Sequence, residues 1–283
     1  MASMIYLCSD LDRTILPNGS QEESPQARSV LRRLAKHPEI ALVYVTGRNK
    51  ALIHDAIKDF DIPEPNYAIG DVGTTLYSVT DGRWKMTASW SQHIGKDWKG
   101  MVAYDLTGLL EDLDELQLQE PEKQNRYKLS YYANCMADYS RLVDKIRRRL
   151  QAKGIAASVI WSVDEPNSLG LIDILPEHAS KPHAIKFLLK TQGIPEQRAV
   201  FAGDSGNDLD ALTSGLQAVL VKNAAQDVKN KALEILSHKQ MTGRLYLARG
   251  DFFGMNGNYS AGVLEGLVHF FPETEHWIRE AIP

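Results

Sequence analysis

Residues 4–14 read MIYLCSDLDRT, an apolar run that ends in polar and acidic residues. A short, uninterrupted apolar run with polar flanks is typical of a strand that is buried on both faces of a sheet. The stretch therefore predicts a buried strand over residues 4–8, followed by a loop that carries Asp10 and Asp12. Ligands of open α/β sheets bind beyond the carboxyl ends of the strands, so this loop is a natural place for a site.

The segments after this strand alternate between helix and strand patterns. Ser24 and Pro25 are typical of a helix N-terminus, as an N-cap and a first helical residue. The predicted elements are a helix from Ser24 to about His37, a strand over 40–45, a helix over 49–60 and a strand over 67–69 that Gly70 closes. This β-α-β-α-β order indicates a parallel sheet.

The pattern changes near Thr80 and returns near Ser180. The middle third predicts helices over 99–116 and 139–153 and strands over 128–133, 157–163 and 169–175, the last two joined at Pro166-Asn167. The final third predicts helices over 182–191, 226–236 and 261–271 and strands over 199–202, 218–221 and 246–248. We therefore expect an α/β fold, in which residues 1–81 and 177–283 form a Rossmann-like parallel-sheet core and residues 82–176 form a smaller inserted α+β domain.

Composition narrows the function classes. The chain has 283 residues, of which 43% are hydrophobic and 24% charged, which excludes disordered, collagen-like and coiled-coil classes. A net charge of -4 offers no basic excess for a nucleic-acid backbone. Two cysteines, Cys8 and Cys135, cannot form a disulfide framework and favour a reducing compartment. The sequence shows no membrane-span pattern and no basic start of a signal peptide, so we expect a cytoplasmic protein.

Polar side chains follow three of the predicted parallel strands. If these strands are neighbours, one crevice gathers Asp10, Asp12, Thr46, Asp204 and Asp208. Carboxylates in one crevice repel each other unless a cation neutralises them, and an all-oxygen set selects a hard cation, Mg²⁺ above all. Lys181, which follows Ser180 at the start of a predicted helix, offers a positive charge for an anionic group.

Each of these features alone also has an ordinary structural explanation. Asp10 and Asp12 suit a turn, Thr46 a strand end, the loop at Asp204 a helix cap, and Lys181 the surface. An EF-hand is excluded, because the sixth position after either aspartate start is not glycine and the twelfth is not glutamate. The sequence also contains no HExxH zinc motif, no GxSxG elbow and no Walker P-loop.

The four segments together resemble the signature of the haloacid dehalogenase superfamily of aspartate-nucleophile phosphatases. They are residues 10–14 (DLDRT), 46–48 (TGR), Lys181, and 203–208 (GDSGND). The inserted middle third is similar to the large α/β cap of that superfamily. Further stretches are similar to sucrose-phosphate phosphatases and related sugar-phosphate phosphatases, namely residues 71–74 (DVGT), 128–132 (KLSYY), 171–176 (LIDILP) and 262–270 (GVLEGLVHF).

The resemblance implies a two-step phosphoryl transfer from a small-molecule sugar phosphate. From the charge and hydropathy of the chain we expect no nucleic-acid or membrane partner. Asp10 would be the nucleophile, and Asp12 would protonate the leaving oxygen and then activate water. The implied phosphate-binding residues are Thr46, Gly47, Lys181 and Asn207, the implied Mg²⁺-binding residues are Asp10, Asp12, Asp204 and Asp208, and the implied substrate residues are Gly73, Thr74 and Lys128.

Some features depart from the family pattern or leave alternatives open. Pro182 follows the lysine where glycine is usual, and Arg13 occupies a variable site. The four-glycine stretch 250–262 is expected to be a flexible loop, and Trp84, Trp90 and Trp98 suit core or hinge packing or stacking on a sugar ring. A phosphomutase of the same superfamily and a non-catalytic sugar-phosphate sensor are the alternative functions.

Overall fold

The computed structural model describes residues 4–134, 139–164 and 167–282 of the chain. Its strands, in chain order, are β1 (Ile5–Ser9), β2 (Ile40–Val45), β3 (Tyr67–Gly70), β4 (Thr75–Thr80), β5 (Arg83–Met86), β6 (Gln117–Leu118), β7 (Leu129–Asn134), β8 (Ala157–Asp164), β9 (Leu169–Pro176), β10 (Ala199–Gly203), β11 (Gln217–Leu220) and β12 (Leu245–Leu247). Cys135 and Pro166 lie outside the described residues.

Eight of these strands form one large sheet in the order β12-β11-β10-β1-β2-β3-β4-β5. The pairs from β12 to β3 are parallel, and β3-β4 and β4-β5 are antiparallel. Strands β1, β2 and β10 are buried along their whole length, because helices cover both faces of the sheet. The predicted α/β class with a parallel-sheet core is confirmed.

The helices are α1 (Ala27–Leu34), α2 (Lys50–Asp59), α3 (Ala88–Ile94), α4 (Ala103–Thr107), α5 (Tyr139–Ala152), α6 (Lys181–Thr191), α7 (Leu209–Leu212), α8 (Gln226–His238), α9 (Ser260–Phe270) and α10 (Glu275–Ala281). Apolar residues of α1, α2, α9 and α10 pack in one core on one face of the large sheet. Those of α6, α7 and α8 belong to a second core on the opposite face. None of the helices within the described residues is both long and apolar enough to cross a bilayer.

The middle of the chain builds a separate antiparallel sheet in the order β6-β7-β9-β8. Helix α5 packs against it through Leu142, Val143, Ile146 and Leu150, which recur at helical spacing and are buried. The division into a core of residues 1–81 and 177–283 and an inserted domain of 82–176 stays a prediction. Strand β5 lies beyond residue 82 but pairs with β4, so the large sheet extends past that boundary.

Three local expectations are corrected. Helix α1 begins at Ala27, and its N-cap residue Gln26 makes no side-chain cap. The predicted cap, Ser24, lies outside the helix, and its hydroxyl accepts the N–H of Asn256 at 2.8 Å. The long helix over 99–116 is wrong, and only α4 forms there. Lys99 and Gly100 adopt left-handed φ values of 53° and 84°, so a helix cannot run through them. After α4 the backbone forms short turns, and these bury Leu110 and Leu113 in the core.

The third correction concerns the stretch 250–262, which is fastened to the core at several points. The Asn256 and Asn258 side chains each donate to the carbonyl O of Glu22, at 2.9 and 3.0 Å. The Glu265 carboxylate, in the middle of α9, accepts the N–H groups of Arg249 and Gly250 at 2.8 and 3.0 Å. These contacts hold the stretch against the loop that follows β1, so it is an ordered part of the fold.

Candidate active site

The loops after β1, β2 and β10 meet at the carboxyl edge of the large sheet. These strands are adjacent, and the Asp10 N–H donates to the carbonyl O of Ala202 at 2.9 Å. The edge opens into a cavity of about 780 Å³ with walls from both sheets. Residues of the large-sheet loops that line it include Asp10, Asp12, Arg13, Thr46, Gly47, Arg48, Lys181, Asp204, Ser205, Gly206 and Asn207. Most of the predicted site residues therefore do converge.

Lys181 lies between two buried carboxylates. Its Nζ is 2.8 Å from Asp10 Oδ1 and 2.7 Å from Asp208 Oδ1. Ser180 caps the N-terminus of α6, and Pro182 sits in its first turn without displacing the lysine. Burial alone would lower the pKa of Lys181, but the charges of Asp10 and Asp208 outweigh it and raise that pKa, so the lysine stays cationic.

Asp208 is completely buried behind the cavity wall. Its Oδ2 accepts the N–H groups of Asp204 and Ser205, each at 3.2 Å, which leaves Oδ1 for Lys181. Gly203 permits this approach, since a Cβ there would lie 2.8 Å from the Asp208 carboxylate. The arrangement makes Asp208 a support that orients the lysine.

The acidic residues form a compact group. Asp10, Asp204 and Asp208 each place a carboxylate oxygen within 4.8 Å of the others, and all three are buried. Burial raises the pKa of Asp10 to about 7, although Lys181 opposes the rise, and raises the pKa of Asp204 to about 6. The three carboxylates outnumber the two cationic side chains that contact them, Lys181 and Arg13. Buried, all-oxygen donors with excess negative charge fit a hard divalent cation.

The carboxylate of Asp12 is outside this group and faces Arg48. Arg48 Nε and Nη2 donate to Asp12 Oδ2 and Oδ1 at 2.8 and 2.7 Å, and Asn18 Nδ2 donates to Oδ1 at 2.7 Å. Partial burial acts to raise the pKa of Asp12, but these hydrogen bonds and the Arg48 charge outweigh it and lower that pKa. Arg48 is a further functional candidate. Its place in the TGR segment was the only sign of this in the sequence.

The three residues expected to contact substrate do not line this cavity in the described part of the chain. Gly73 has a φ of 102°, and a Cβ there would lie 2.6 Å from the Ser180 backbone, so the position needs glycine for packing. Thr74 Oγ1 accepts a hydrogen bond from Asn125 at 2.8 Å, and Lys128 Nζ is 3.8 Å from Asp173. Of these contacts, the Thr74–Asn125 hydrogen bond joins the large sheet to the segment before β7, whereas the Lys128–Asp173 pair lies within the middle segment of the chain.

The opposite wall of the cavity belongs to the second sheet. Its lining residues are Ser158, Ile160, Trp161, Ser162 and Asp173. The alternation of β8 could have indicated residues 158, 160 and 162 as one face, but their partner across the cavity depends on the tertiary fold. Trp90 and Trp98 are fully buried and make packing contacts, and neither lines the cavity.

Comparison with known proteins decides the family. The model of the sucrose-6F-phosphate phosphohydrolase family matches residues 3–271. The chain belongs to this family. A putative HAD-like hydrolase from Nitrosococcus oceani is 58% identical over 281 residues, covering 99% of this chain and 75% of that protein. The mannosylfructose-phosphate phosphatase from Agrobacterium fabrum is 27% identical over 274 residues, covering 95% of this chain and 98% of that protein.

A solved structure supports the fold. The sucrose-phosphatase from Synechocystis sp. PCC6803, determined in complex with sucrose and phosphate, superposes with a TM-score of 0.73 at 23% identity. The match covers 95% of this chain and 98% of that one. The family match over residues 3–271 and the HAD-like hydrolase relative confirm the resemblance to haloacid dehalogenase phosphatases, and the chain is a phosphoric monoester hydrolase.

Proposed function

We propose that the protein is a Mg²⁺-dependent phosphatase that hydrolyses a glycosyl or disaccharide phosphate, such as sucrose phosphate, through an aspartyl-phosphate on Asp10. The observation that supports this most directly is the position of Asp10. Its carboxylate lies at the end of β1, 2.8 Å from Lys181 and next to Asp204 and Asp208, at the base of a cavity covered by a second sheet. A nucleophile, a fixed cation and a candidate cation site thereby meet at one point.

Asp10 and Asp204 are the residues that would hold the metal, with Asp208 close by and the main-chain carbonyl of Asp12 as the further ligand that the family resemblance implies. When bound, Mg²⁺ would neutralise charge between the nucleophile and the phosphate. The side chain of Asp12 is left for proton transfer, because Arg48 and Asn18 hold its carboxylate away from the acidic group.

In the first step, the Asp10 carboxylate attacks phosphorus, a new P–O bond forms, and the bond from phosphorus to the sugar oxygen breaks. Lys181 and the polar groups of Thr46, Gly47 and Asn207 hold the phosphoryl oxygens, where positioning and electrostatics dominate catalysis. Asp12 gives a proton to the departing sugar oxygen. A phosphate dianion beside Asp12 raises the pKa of that carboxyl by like-charge repulsion, which favours the protonated form.

In the second step, Asp12, now ionised, accepts a proton from water as the water attacks the phosphoryl group. The P–O bond to Asp10 breaks, inorganic phosphate leaves, and the Asp10 carboxylate is restored. Arg48 keeps the Asp12 carboxylate at a defined position through both steps, because its two hydrogen bonds restrict rotation of that side chain.

The size and lining of the cavity support a sugar substrate. About 780 Å³ is ample for a disaccharide phosphate. The second sheet contributes two hydroxyls and one carboxylate, from Ser158, Ser162 and Asp173. Such groups bind hydroxylated rings through hydrogen bonds. We therefore propose that the second sheet and its helices form a cap that selects the sugar.

The decisive experiment measures inorganic phosphate released from a panel of sugar phosphates, with Mg²⁺ and with excess chelator. We expect release from glycosyl or disaccharide phosphates, its loss in chelator, and its recovery on adding Mg²⁺. Asp10→Asn should be folded and inactive, whereas Asp210→Asn, on the same cavity wall but outside the acidic group, should keep most of the activity.

Other outcomes of this panel would contradict the proposal. Conversion of one sugar phosphate into its isomer without phosphate release would identify a phosphomutase. Binding without any turnover would identify a sensor. Full activity in chelator would show that the reaction does not need the metal. A folded, fully active Asp10→Asn variant would exclude an aspartyl-phosphate on Asp10.

A further inference from the structure

Arg13 places a second fixed cation beside the acidic group, in addition to Lys181. Its Nε is 3.3 Å from Asp204 Oδ2. The Asp204 side chain is only 4% exposed, whereas that of Arg13 is 47% exposed and lines the cavity. The roles proposed above for Lys181, Asp12 and Arg48 leave this ion pair without a function.

The backbone holds Arg13 in an unfavourable conformation. Its φ is 57°, in the left-handed region that side chains other than glycine rarely adopt. The Arg13 N–H donates to Asn18 Oδ1 at 2.8 Å, and its carbonyl O accepts from Asn223 Nδ2 at 2.7 Å. Asn223 in turn accepts the N–H of Tyr259 at 2.8 Å. Strain that the surroundings impose so firmly is typical of a functional position.

The contacts divide the two cations between the three carboxylates. Lys181 contacts Asp10 and Asp208, and Arg13 contacts Asp204. The other oxygen of Asp204 is 3.4 Å from the Thr14 hydroxyl, so both of its oxygens already have partners. A divalent cation on Asp204 must therefore share that carboxylate with the guanidinium, and the two positive charges repel across a few ångströms.

We propose that Arg13 is a positioning residue that sets the metal affinity of the site. Its guanidinium shares Asp204 with the divalent cation and weakens binding of that cation. When the cation dissociates, the same guanidinium keeps the buried Asp204 carboxylate paired. This inference rests on the metal dependence proposed above. If it holds, Arg13 of the DLDRT segment controls how tightly the site binds its metal.

The test is a calorimetric titration of metal-free protein with Mg²⁺, and with Mn²⁺ as a second probe. We expect Arg13→Gln to bind either metal with a Kd about twofold to fivefold lower than the wild type, the range of a half-exposed charge pair. Arg13→Lys keeps the charge and should stay close to the wild type. Arg32→Gln is the matched control, because it removes an arginine ion-paired to Asp61 at 2.9 Å outside the cavity.

Thermal unfolding gives a readout that is independent of activity. In chelator, Arg13→Gln should melt below the wild type, because Asp204 loses its partner. In saturating Mg²⁺ the difference should shrink, since tighter binding stabilises the variant more. Arg13→Gly, which removes the guanidinium and suits the left-handed φ, gives a second variant with the same expected Kd if Arg13→Gln does not fold.

The outcomes separate this inference from the proposed function. A wild type that binds neither metal contradicts the metal-dependent function itself. A wild type that binds metal, with unchanged or weaker binding in the Arg13 variants, overturns the role of Arg13 alone. Unchanged metal binding combined with weaker inhibition by inorganic phosphate would assign Arg13 to the phosphate instead, which also overturns the inference.

Discussion

Arg48 binds the carboxylate of Asp12 through two hydrogen bonds, from Nε to Oδ2 at 2.8 Å and from Nη2 to Oδ1 at 2.7 Å. This bidentate pair joins the loop after β2 to the loop after β1. A planar guanidinium matches a carboxylate at two points, so it defines the direction of the Asp12 side chain as well as its charge. The proton-transfer residue of the proposed reaction therefore depends on a residue from another strand.

We expect Arg48→Lys to slow phosphoenzyme formation from a sugar phosphate by roughly tenfold to a hundredfold. Lysine keeps the charge but cannot form the two-point contact, and small displacements of a proton donor are costly. Rapid-quench measurement should show a smaller loss with p-nitrophenyl phosphate. Arg32→Lys, on a surface ion pair, is the control and should behave as wild type. Equal losses for both substrates would indicate a general structural effect.

Asp12→Asn should lose roughly 10²–10⁴-fold in phosphoenzyme formation from a sugar phosphate, the usual contribution of general acid catalysis. The p-nitrophenolate group of the activated ester p-nitrophenyl phosphate leaves without a proton. The rate of the same single-turnover step should therefore fall clearly less with this substrate. Breakdown of the phosphoenzyme should slow for both substrates, because water activation uses the same carboxylate. If both substrates lose equally in the first step, Asp12 is not the leaving-group acid.

Ser162 provides a test of the cap. It lines the cavity from β8, on the same face of the strand as Ser158 and Ile160. Ser162→Ala should raise KM for a disaccharide phosphate by roughly threefold to tenfold, about 1 kcal/mol for one lost hydrogen bond. The KM for acetyl phosphate, which has no sugar, should stay the same. Ser29→Ala is the matched control, because the Ser29 hydroxyl donates to the carbonyl O of Gln26 in a helix outside the cavity.

This prediction fails in a recognisable way. If KM rises equally for acetyl phosphate, Ser162 supports the shape of the site and does not contact the sugar. If KM changes for neither substrate, the second sheet does not hold the sugar at this position.

The pH dependence of stability follows from the acidic group. Burial raises the pKa of Asp10 to about 7 and that of Asp204 to about 6, from an ordinary value of 3.8. Between pH 3.8 and the raised pKa values, the folded chain binds protons that the unfolded chain does not. The stability that this proton binding contributes is therefore complete below pH 3.8 and is lost as the pH rises through 6 and 7. Metal-free protein should therefore melt at a lower temperature as the pH rises through this window.

Thermal melts in chelator across this pH range measure the effect. Asp204→Asn removes one of the two titrating carboxylates, and its melting temperature should depend less on pH than that of the wild type. The Asp210→Asn variant should keep the wild-type slope, since Asp210 is not part of the buried group. A slope unchanged in Asp204→Asn would contradict the raised pKa of Asp204.

The sequence by itself determined the fold class, because the information is local. Buried parallel strands are short apolar runs, and 40–45 and 199–202 were predicted almost to the residue. The DLDRT, TGR and GDSGND segments indicated the loops of the site, because each follows a predicted strand. Residues that follow neighbouring parallel strands lie at the same edge of the sheet. Local capping was less dependable: Asn49 caps α2 as its position suggests, with Leu52 N–H donating to its Oδ1 at 3.0 Å, whereas Ser24 bonds to a distant loop.

The tertiary structure alone decided which side chains meet across long stretches of chain. Arg48 contacts Asp12, Arg13 contacts Asp204, and Ser162 lines the cavity from another sheet. Lys128, by contrast, pairs with Asp173 and stays off the cavity wall. The direction of a long side chain depends on neighbours that packing brings from elsewhere in the sequence. Its pairing is therefore a property of the assembled fold and has no local pattern to reveal it.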